Sequence, residues 1–333
     1  MFRGFHTYVT DFTGILVIGF VIYFIYMTDW LGQNWLQSLP ESFQQLNTIF
    51  LSILIEAIPF VLIGVLIAGF IQIFITEEHI ERWIPKNKMS AVTMSCVVGA
   101  FFPACECGIV PIVRRLVRKG VPIYAGVGFL LTGPLINPIV ILSTYMAFGN
   151  DAKMAGLRMG IGFLAAFIIA FIVSIFYKST QLKHPQDTTA EPNPKHKPSF
   201  FQRLADMLKH SIDEFFDMGK FLIIGAFVAA FFQTYVSSSS LFVFGEGLVG
   251  SMLVMMGLAY FLSLCSEADA FIGASFRTLF SPTSILAFLV YGPMIDLKNT
   301  IMLLSVFKTK FVVTLLCLIT LVVFICVGAT NLL

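Results

Sequence analysis

Charge is scarce in this chain. Asp, Glu, Lys and Arg together make up 12% of its 333 residues, against about 25% in a soluble domain. That deficit excludes a water-soluble globular protein. Hydrophobic residues reach 57% and mean hydropathy is +0.88, so the chain belongs in a lipid bilayer. A net charge of +2 is too small to suggest nucleic acid as a partner. The six cysteines are scattered and lack the spacing of a secreted disulfide framework. His6, His79, His184, His196 and His210 all fall near ends or loops. No histidine is therefore available at membrane depth, which disfavours a permanent structural zinc site. No nucleotide-binding signature occurs, so ATP would have to act through another chain.

What is present is a series of apolar runs. A span needs roughly 20 apolar residues. Clear candidates lie at 13–28, 48–76, 156–177, 218–236 and 310–330. The first lacks a small-residue cleavage site and is expected to be an additional N-terminal helix, over 1–40, and not a removed signal. Regions 90–113, 121–148 and 248–297 are apolar but broken by Pro, Gly and polar residues. Lys and Arg should mark the cytoplasmic side. They cluster at Arg82, Lys86 and Lys88, and again at Arg114, Arg115, Arg118 and Lys119. If both clusters are cytoplasmic, 90–113 cannot cross. It must enter and return as a re-entrant hairpin, broken at Pro103 and Gly108. A kinked full span is the alternative. Residues 184–198 hold four prolines and predict a flexible cytoplasmic linker, within 178–199. Phe201, Leu204, Leu208, Ile212 and Phe215 then recur at helical spacing, predicting an amphipathic helix that runs into the next span.

The chain also resembles itself. At an offset of 161, Glu56 pairs with Asp217 and Gly64 with Gly225; at 160, Cys105 with Cys265 and Pro122 with Pro282. At 159, Gly133-Pro134 pairs with Gly292-Pro293 and Asn137 with Asp296. One drifting offset linking these features predicts two repeats, 41–177 and 200–333. Counting crossings makes the halves opposite in orientation, each carrying a hairpin, the second at about 248–277. Lys298, Lys308 and Lys310 are expected on the cytoplasmic side. The fold expected is all-α and polytopic, with about seven to eight spans, two re-entrant hairpins and inverted-topology repeats, an arrangement of transporters with a midplane site.

The chemistry concentrates at the two hairpin tips. The first holds Cys105, Glu106 and Cys107; the second holds Cys265, Glu267 and Asp269. A carboxylate at membrane depth costs at least about 2.5–3.5 kcal/mol and needs a partner or a polar cavity. Each acid can serve as a cap on a half-helix or face a substrate. Thiolates favour soft species such as zinc, copper(I) or trivalent arsenic. Cys105, Cys107 and Cys265, with Glu267 as a harder ligand, form a candidate transient metal set. Cys96, Cys317 and Cys326 read as apolar fillers. Asn137 and Asp296 follow the Gly-Pro breaks; they can satisfy freed backbone groups or line the path. Glu56 and Asp217 are candidates for proton coupling, or for hydrogen bonding within the bundle. The run from Arg114 to Lys119 reads as an anchor beside anionic lipid, or as a mouth that gathers anions.

The run Cys105-Glu106-Cys107-Gly108-Ile109-Val110-Pro111, then Arg114-Arg115 and Lys119-Gly120-Val121-Pro122, resembles the ArsP-like predicted permease family. So do Gly133-Pro134-Leu135-Ile136-Asn137-Pro138 and the stretch from Cys265 to Phe271. The resemblance implies a multi-pass plasma-membrane permease of the family's Gram-positive branch. It also implies a separate membrane or extracytoplasmic subunit as a partner. Some members export trivalent organoarsenicals through a cysteine pair, which corresponds here to Cys105 and Cys107. Glu106 departs from the small residue those members more often carry between the cysteines, and a carboxylate there favours a cation over a neutral arsenical. The expectation is a carrier of a small thiophilic metal or metalloid species, with efflux favoured, no cofactor and no enzymatic activity. A membrane thiol–disulfide relay and a non-transporting subunit of a membrane complex are the alternatives.

Overall fold

The computed structural model describes residues 40–85, 87–102, 104–183, 200–235 and 247–332. The span expected at 13–28 and the linker at 184–198 lie outside the described residues. The chain divides into two compact units, Met1–Ile49 and Phe50–Leu333; the packing below belongs to the second.

Every described element is helical apart from an isolated antiparallel pairing of Leu182 with Phe307. We number the α-helices α1 (Glu41–Phe74), α2 (Glu77–Trp83), α3 (Lys88–Ala100), α4 (Glu106–Arg118), α5 (Ile123–Ile136), α6 (Pro138–Ala147) and α7 (Ala152–Phe176). They continue as α8 (Phe200–Tyr235), α9 (Gly247–Leu262), α10 (Ser266–Ser275), α11 (Pro282–Met294), α12 (Leu297–Val306) and α13 (Thr309–Ala329). Six stretches are long and apolar enough to cross a membrane: α1, α5 with α6, α7, α8, α11 with α12, and α13. The protein is an all-α, polytopic membrane protein. Helix α8 carries the expected amphipathic segment and the following span as one continuous helix.

The two broken spans are the core. The most apolar window of α11–α12 is 89% buried and that of α5–α6 is 78% buried, against 28% for α1 and 33% for α8. The outer helices leave Ile55, Ile63, Phe70, Ile224 and Phe227 exposed, as lipid contact requires. Each core span breaks at its Gly-Pro motif, where the next half-helix is capped by a side chain. Asn137 accepts from Val140 N at 2.9 Å, and Asp296 accepts from Asn299 N at 2.6 Å.

Helices α3 and α4 hold 13 residues each, about 20 Å at 1.5 Å per residue, which is too short to cross about 30 Å of hydrocarbon. Their contacts with α5 fix their directions. Cys96 lies beside Gly128, and Gly99 beside Thr132, so α3 runs parallel to α5. Ile109 lies beside Gly133, and Val113 and Val117 beside Gly126, so α4 runs back along it. The two helices therefore form a hairpin. Helix α4 extends through Arg118, so the Arg cluster rides on its last turns and not on a loop. In the second half, Ser263 and Asp269 both meet Gly292 of α11, which brings the end of α9 and the start of α10 to one point. Helices α4 and α12 pack together, as do α6 and α10. Helices α1 and α8 lie against each other in opposite directions. Ser211 donates to the Val65 carbonyl at 3.2 Å, while the rings of Phe50 and Phe227 meet at 6.0 Å.

Glycine permits the closest of these approaches. A methyl group on Gly108 would lie 2.7 Å from the Phe60 carbonyl oxygen, whereas one on Gly156 would meet nothing within 4 Å. Gly108→Ala is expected to cost about 1–3 kcal/mol, as overpacking does, and Gly156→Ala to leave stability unchanged or raised. Thermal unfolding of the detergent-purified protein checks this; equal melting temperatures for the two variants would contradict the α1–α4 contact.

Candidate functional site

The two hairpin tips meet. Ser266, the first residue of α10, donates from its hydroxyl to Glu106 Oε1 at 3.0 Å, and Glu106 is the first residue of α4. Both are 1% exposed. Where the tips join, a small cavity is lined by Glu56, Cys105, Glu106, Cys107, Cys265 and Lys298, among others. Its volume is about 10 Å³, at the lower edge of the roughly 10–15 Å³ that one water needs. In this state it admits a single ion or water and excludes an organic molecule.

Local sequence explains the lining. Cys105 and Cys265 are the N-caps of α4 and α10, both in extended backbone. Cys265 Sγ accepts from Ala268 N at 3.4 Å, while Cys105 makes no side-chain cap bond, which leaves its sulfur for the cavity. Cys105, Cys107, Cys265 and Glu56 line the cavity together. Pro111, inside α4, has no N–H to offer the Cys107 carbonyl four residues back. That oxygen is thus released from the helix ladder close to the cavity. All six cysteines are free thiols.

The other acids at the tips have partners. Asp269 accepts from Ser263 Oγ at 2.5 Å and from Leu264 N at 3.1 Å, which satisfies the break between α9 and α10. Asp296 caps α12 and binds the Lys298 ammonium. Asn137 is 3% exposed and caps α6. Glu267 is half-buried in the first turn of α10 and does not line the cavity. Asp217 lies away from the tips, about half exposed, in a 2.8 Å ion pair with Lys220. The cavity thus collects Cys105, Glu106, Cys107, Cys265 and Glu56, but not Glu267, Asp269 or Asp217. Among the described residues, no group of three or more His, Cys, Asp or Glu side chains is close enough to hold a metal ion in this state.

Three charged residues enter the account from the structure alone. Lys298, expected in the cytoplasm, is 2% exposed and lines the cavity. It stands within the apolar stretch Pro282–Val306, and its charge is accommodated by Asp296 and by the Ser263 carbonyl at 3.2 Å. Arg158 is 1% exposed on α7. It donates to Thr144 Oγ1 at 2.6 Å and to the Ser266 carbonyl at 3.0 Å, bracing the second tip from the first half. Glu214 is 4% exposed on α8. It accepts from Arg115 at 2.8 Å and lies 3.5 Å from Arg114, while Arg115 also reaches Gln72 of α1 at 3.4 Å. Arg114 and Arg115 are therefore held by protein and are not free lipid anchors. A lone Arg or Lys inside an apolar run is itself a signal of function; the Glu214 pairing, 99 residues away in sequence, leaves no such local mark.

The family model described as a predicted permease, ArsP_1, matches residues 42–332. The chain is 53% identical over 287 residues to the UPF0718 protein YcgR of Bacillus subtilis (strain 168), covering 85% of this chain and 96% of that protein. It is 44% identical over 277 residues to a Streptococcus mutans protein named "Putative two-component membrane permease complex subunit", covering 82% and 91%. A UPF0718 protein of Methanocaldococcus jannaschii, MJ0584, is 26% identical over 140 residues, 41% of this chain and 38% of that protein. No solved structure matches the chain.

Glu214→Gln leaves two guanidinium groups short of a partner. Because Arg114 and Arg115 keep 17% and 11% exposure, the expected loss lies toward the low end of the roughly 3–5 kcal/mol typical of breaking a buried pair. Asp217→Asn removes an exposed pair and is expected to cost less than about 1 kcal/mol. Melting temperatures of the two variants in one detergent compare them directly.

Proposed function

We propose, from the premise that this chain belongs to the predicted permease family and is a multi-pass permease of the plasma membrane, that it is a secondary carrier of a small thiophilic metal or metalloid species, with export favoured. One observation carries the reading: Cys105 and Cys107 from the first tip and Cys265 from the second line one cavity with Glu56 and Glu106. Soft sulfur and hard oxygen donors together suit a borderline or soft cation. Around the tips, the carboxyl groups of Glu56, Glu106, Glu267, Asp269 and Asp296 face two cations, Arg158 and Lys298. This excess of acid favours a positively charged cargo. The ligand set of Cys105, Cys107, Cys265 and Glu267 forms transiently, when cargo in the cavity turns these side chains toward it. Glu56 remains the candidate for proton exchange at the cavity.

The halves 41–177 and 200–333 are read as inverted repeats. Three observations support this. The helix order α1, α3 to α7 recurs as α8 to α13. The first helices of the two halves run antiparallel, and their contacts are symmetric: the Val65–Ser211 pair, shifted by the offset of 161, falls on residues 226 and 50, beside the Phe227–Phe50 contact. Glu106 and Ser266, counterparts at offset 160, touch each other. A site where inverted halves meet, on broken helices, is where carriers of this architecture bind cargo. The name of the Streptococcus mutans relative supports a second membrane or extracytoplasmic subunit as partner.

Transport into proteoliposomes over a panel of zinc, copper(I), cobalt and arsenite tests the reading. The Cys105→Ser/Cys107→Ser double variant is expected to lose at least about tenfold, because even changes outside the ligand shell cost 10–100-fold in metal affinity. Cys317→Ser, on an exposed helix face, is expected to transport as wild type does. Undiminished transport by the double variant would remove the thiols from the mechanism.

A further inference from the structure

The Asp296–Lys298 pair is more than the broken helix needs. Its counterpart in the first half shows this. Asn137 caps α6 through Val140 N with a neutral side chain, and the residue two further on is Ile139, 57% exposed. The same break is therefore built in one half without any charge. In the other half a carboxylate replaces the amide and a lysine replaces the isoleucine, and that lysine is turned inward. Gly225 of α8 makes room for it, since a methyl group there would come within 3.0 Å of Lys298 Cα. A buried ammonium carries a large desolvation cost that neighbouring acids must offset. Here Lys298 is paired with Asp296, and it lines the thiol cavity together with Glu106.

We infer that Lys298 is a tethered stand-in for the cargo cation. In the cargo-free carrier its ammonium compensates the Asp296 carboxylate and occupies the cavity that Glu106 also lines, and cargo enters by displacing it. The tether stabilises the empty site, which would otherwise bury Asp296 as an uncompensated carboxylate. It also sets a threshold, because a species must bring both positive charge and affinity for sulfur to compete with an ammonium already in place. A neutral arsenical brings only the second. Lys298 is thus a specificity-determining residue for the cargo proposed above, and the inference rests on that proposal.

Equilibrium binding of zinc ion to the full chain in detergent separates the two. Wild type is expected to bind zinc weakly, and Lys298→Gln, which keeps a hydrogen-bonding head but no charge, at least about tenfold more tightly, because an opposed unit charge at close range in a poorly solvated site is a large penalty. Lys298→Arg retains the charge and is expected to gain no affinity. If Lys298→Gln does not elute as a folded species, the neutral pair Asp296→Asn/Lys298→Met decides. It keeps the α12 cap, because Asn caps as well as Asp, and it is expected to bind at least about tenfold more tightly than Asp296→Asn alone, well beyond the non-additivity of independent sites. Wild-type binding with no gain in Lys298→Gln, or equal affinity of the pair variant and Asp296→Asn, overturns the tethered cation and leaves the cargo reading standing. Zinc binding to none of these proteins overturns the tethered cation, and the transport panel above decides the cargo reading separately.

Discussion

The hydrogen bond from Ser266 to Glu106 is the contact on which the rest of the site depends. It joins the first residues of two short helices that enter the protein from different halves of the chain. Neither tip could hold its position alone. Each lies at a helix break, where freed backbone N–H groups need acceptors; the second tip supplies Asp269 and Cys265 for this. Glu106 accepts the Ser266 hydroxyl and so links the two tips. Arg158 then fixes the Ser266 carbonyl from α7. The three thiols come together as a consequence, since Cys105 and Cys265 immediately precede the two joined residues.

The polar residues of the interior divide by task. Asn137, Asp269 and Asp296 each accept from a backbone N–H at a helix break, and these bonds allow Pro and Gly to interrupt apolar spans at tolerable cost. Glu56 and the three thiols face the cavity instead. Asp296 caps α12 and also holds Lys298, which lines the cavity. A structure built only to span a membrane would need the first group and not the second. The caps account for the fold, and the cavity-facing set is what the proposed transport would draw on.

Much of this was legible in the sequence. The basic clusters on both sides of 90–113 predicted a turn-back, because a charged flank cannot be drawn through hydrocarbon, and α3 and α4 do form a hairpin along α5. The Gly-Pro motifs marked the breaks in both core spans. The self-alignment drew attention to Cys265, which spacing alone would have left as an isolated cysteine. Other features were not legible. A rule that treats lysine as a marker of the cytoplasm has no means of placing Lys298 inside, because its burial depends on an acid two residues before it and on a glycine 73 positions away, at Gly225. Glu56 and Asp217 align in the repeat, yet only Glu56 reaches the cavity. An internal repeat fixes position along a helix; the partners met there depend on helix rotation and on neighbours that have diverged.

That divergence bears on how a carrier of this kind would work. Symmetric halves would give symmetric closures on the two sides of the site, and the closures here are unlike. The end of the first hairpin is held by ion pairs from Arg114 and Arg115 to a buried Glu214. The end of the second is held by Arg277, which donates to the Phe148 carbonyl at 2.9 Å and lies 4.7 Å from its ring. The first latch pairs full charges in a poorly solvated place, so opening it exposes a buried carboxylate and two guanidinium groups to new surroundings. The second joins a half-exposed cation to a neutral carbonyl and a ring, a weaker arrangement when water is near. With both fastenings in place, the cavity holds about 10 Å³. In the alternating access proposed above, unequal fastenings around a common site would make the two openings differ in energy, and the asymmetry between the hairpin ends, basic and acid-paired on one side and nearly uncharged on the other, would set how readily each side of the site is reached.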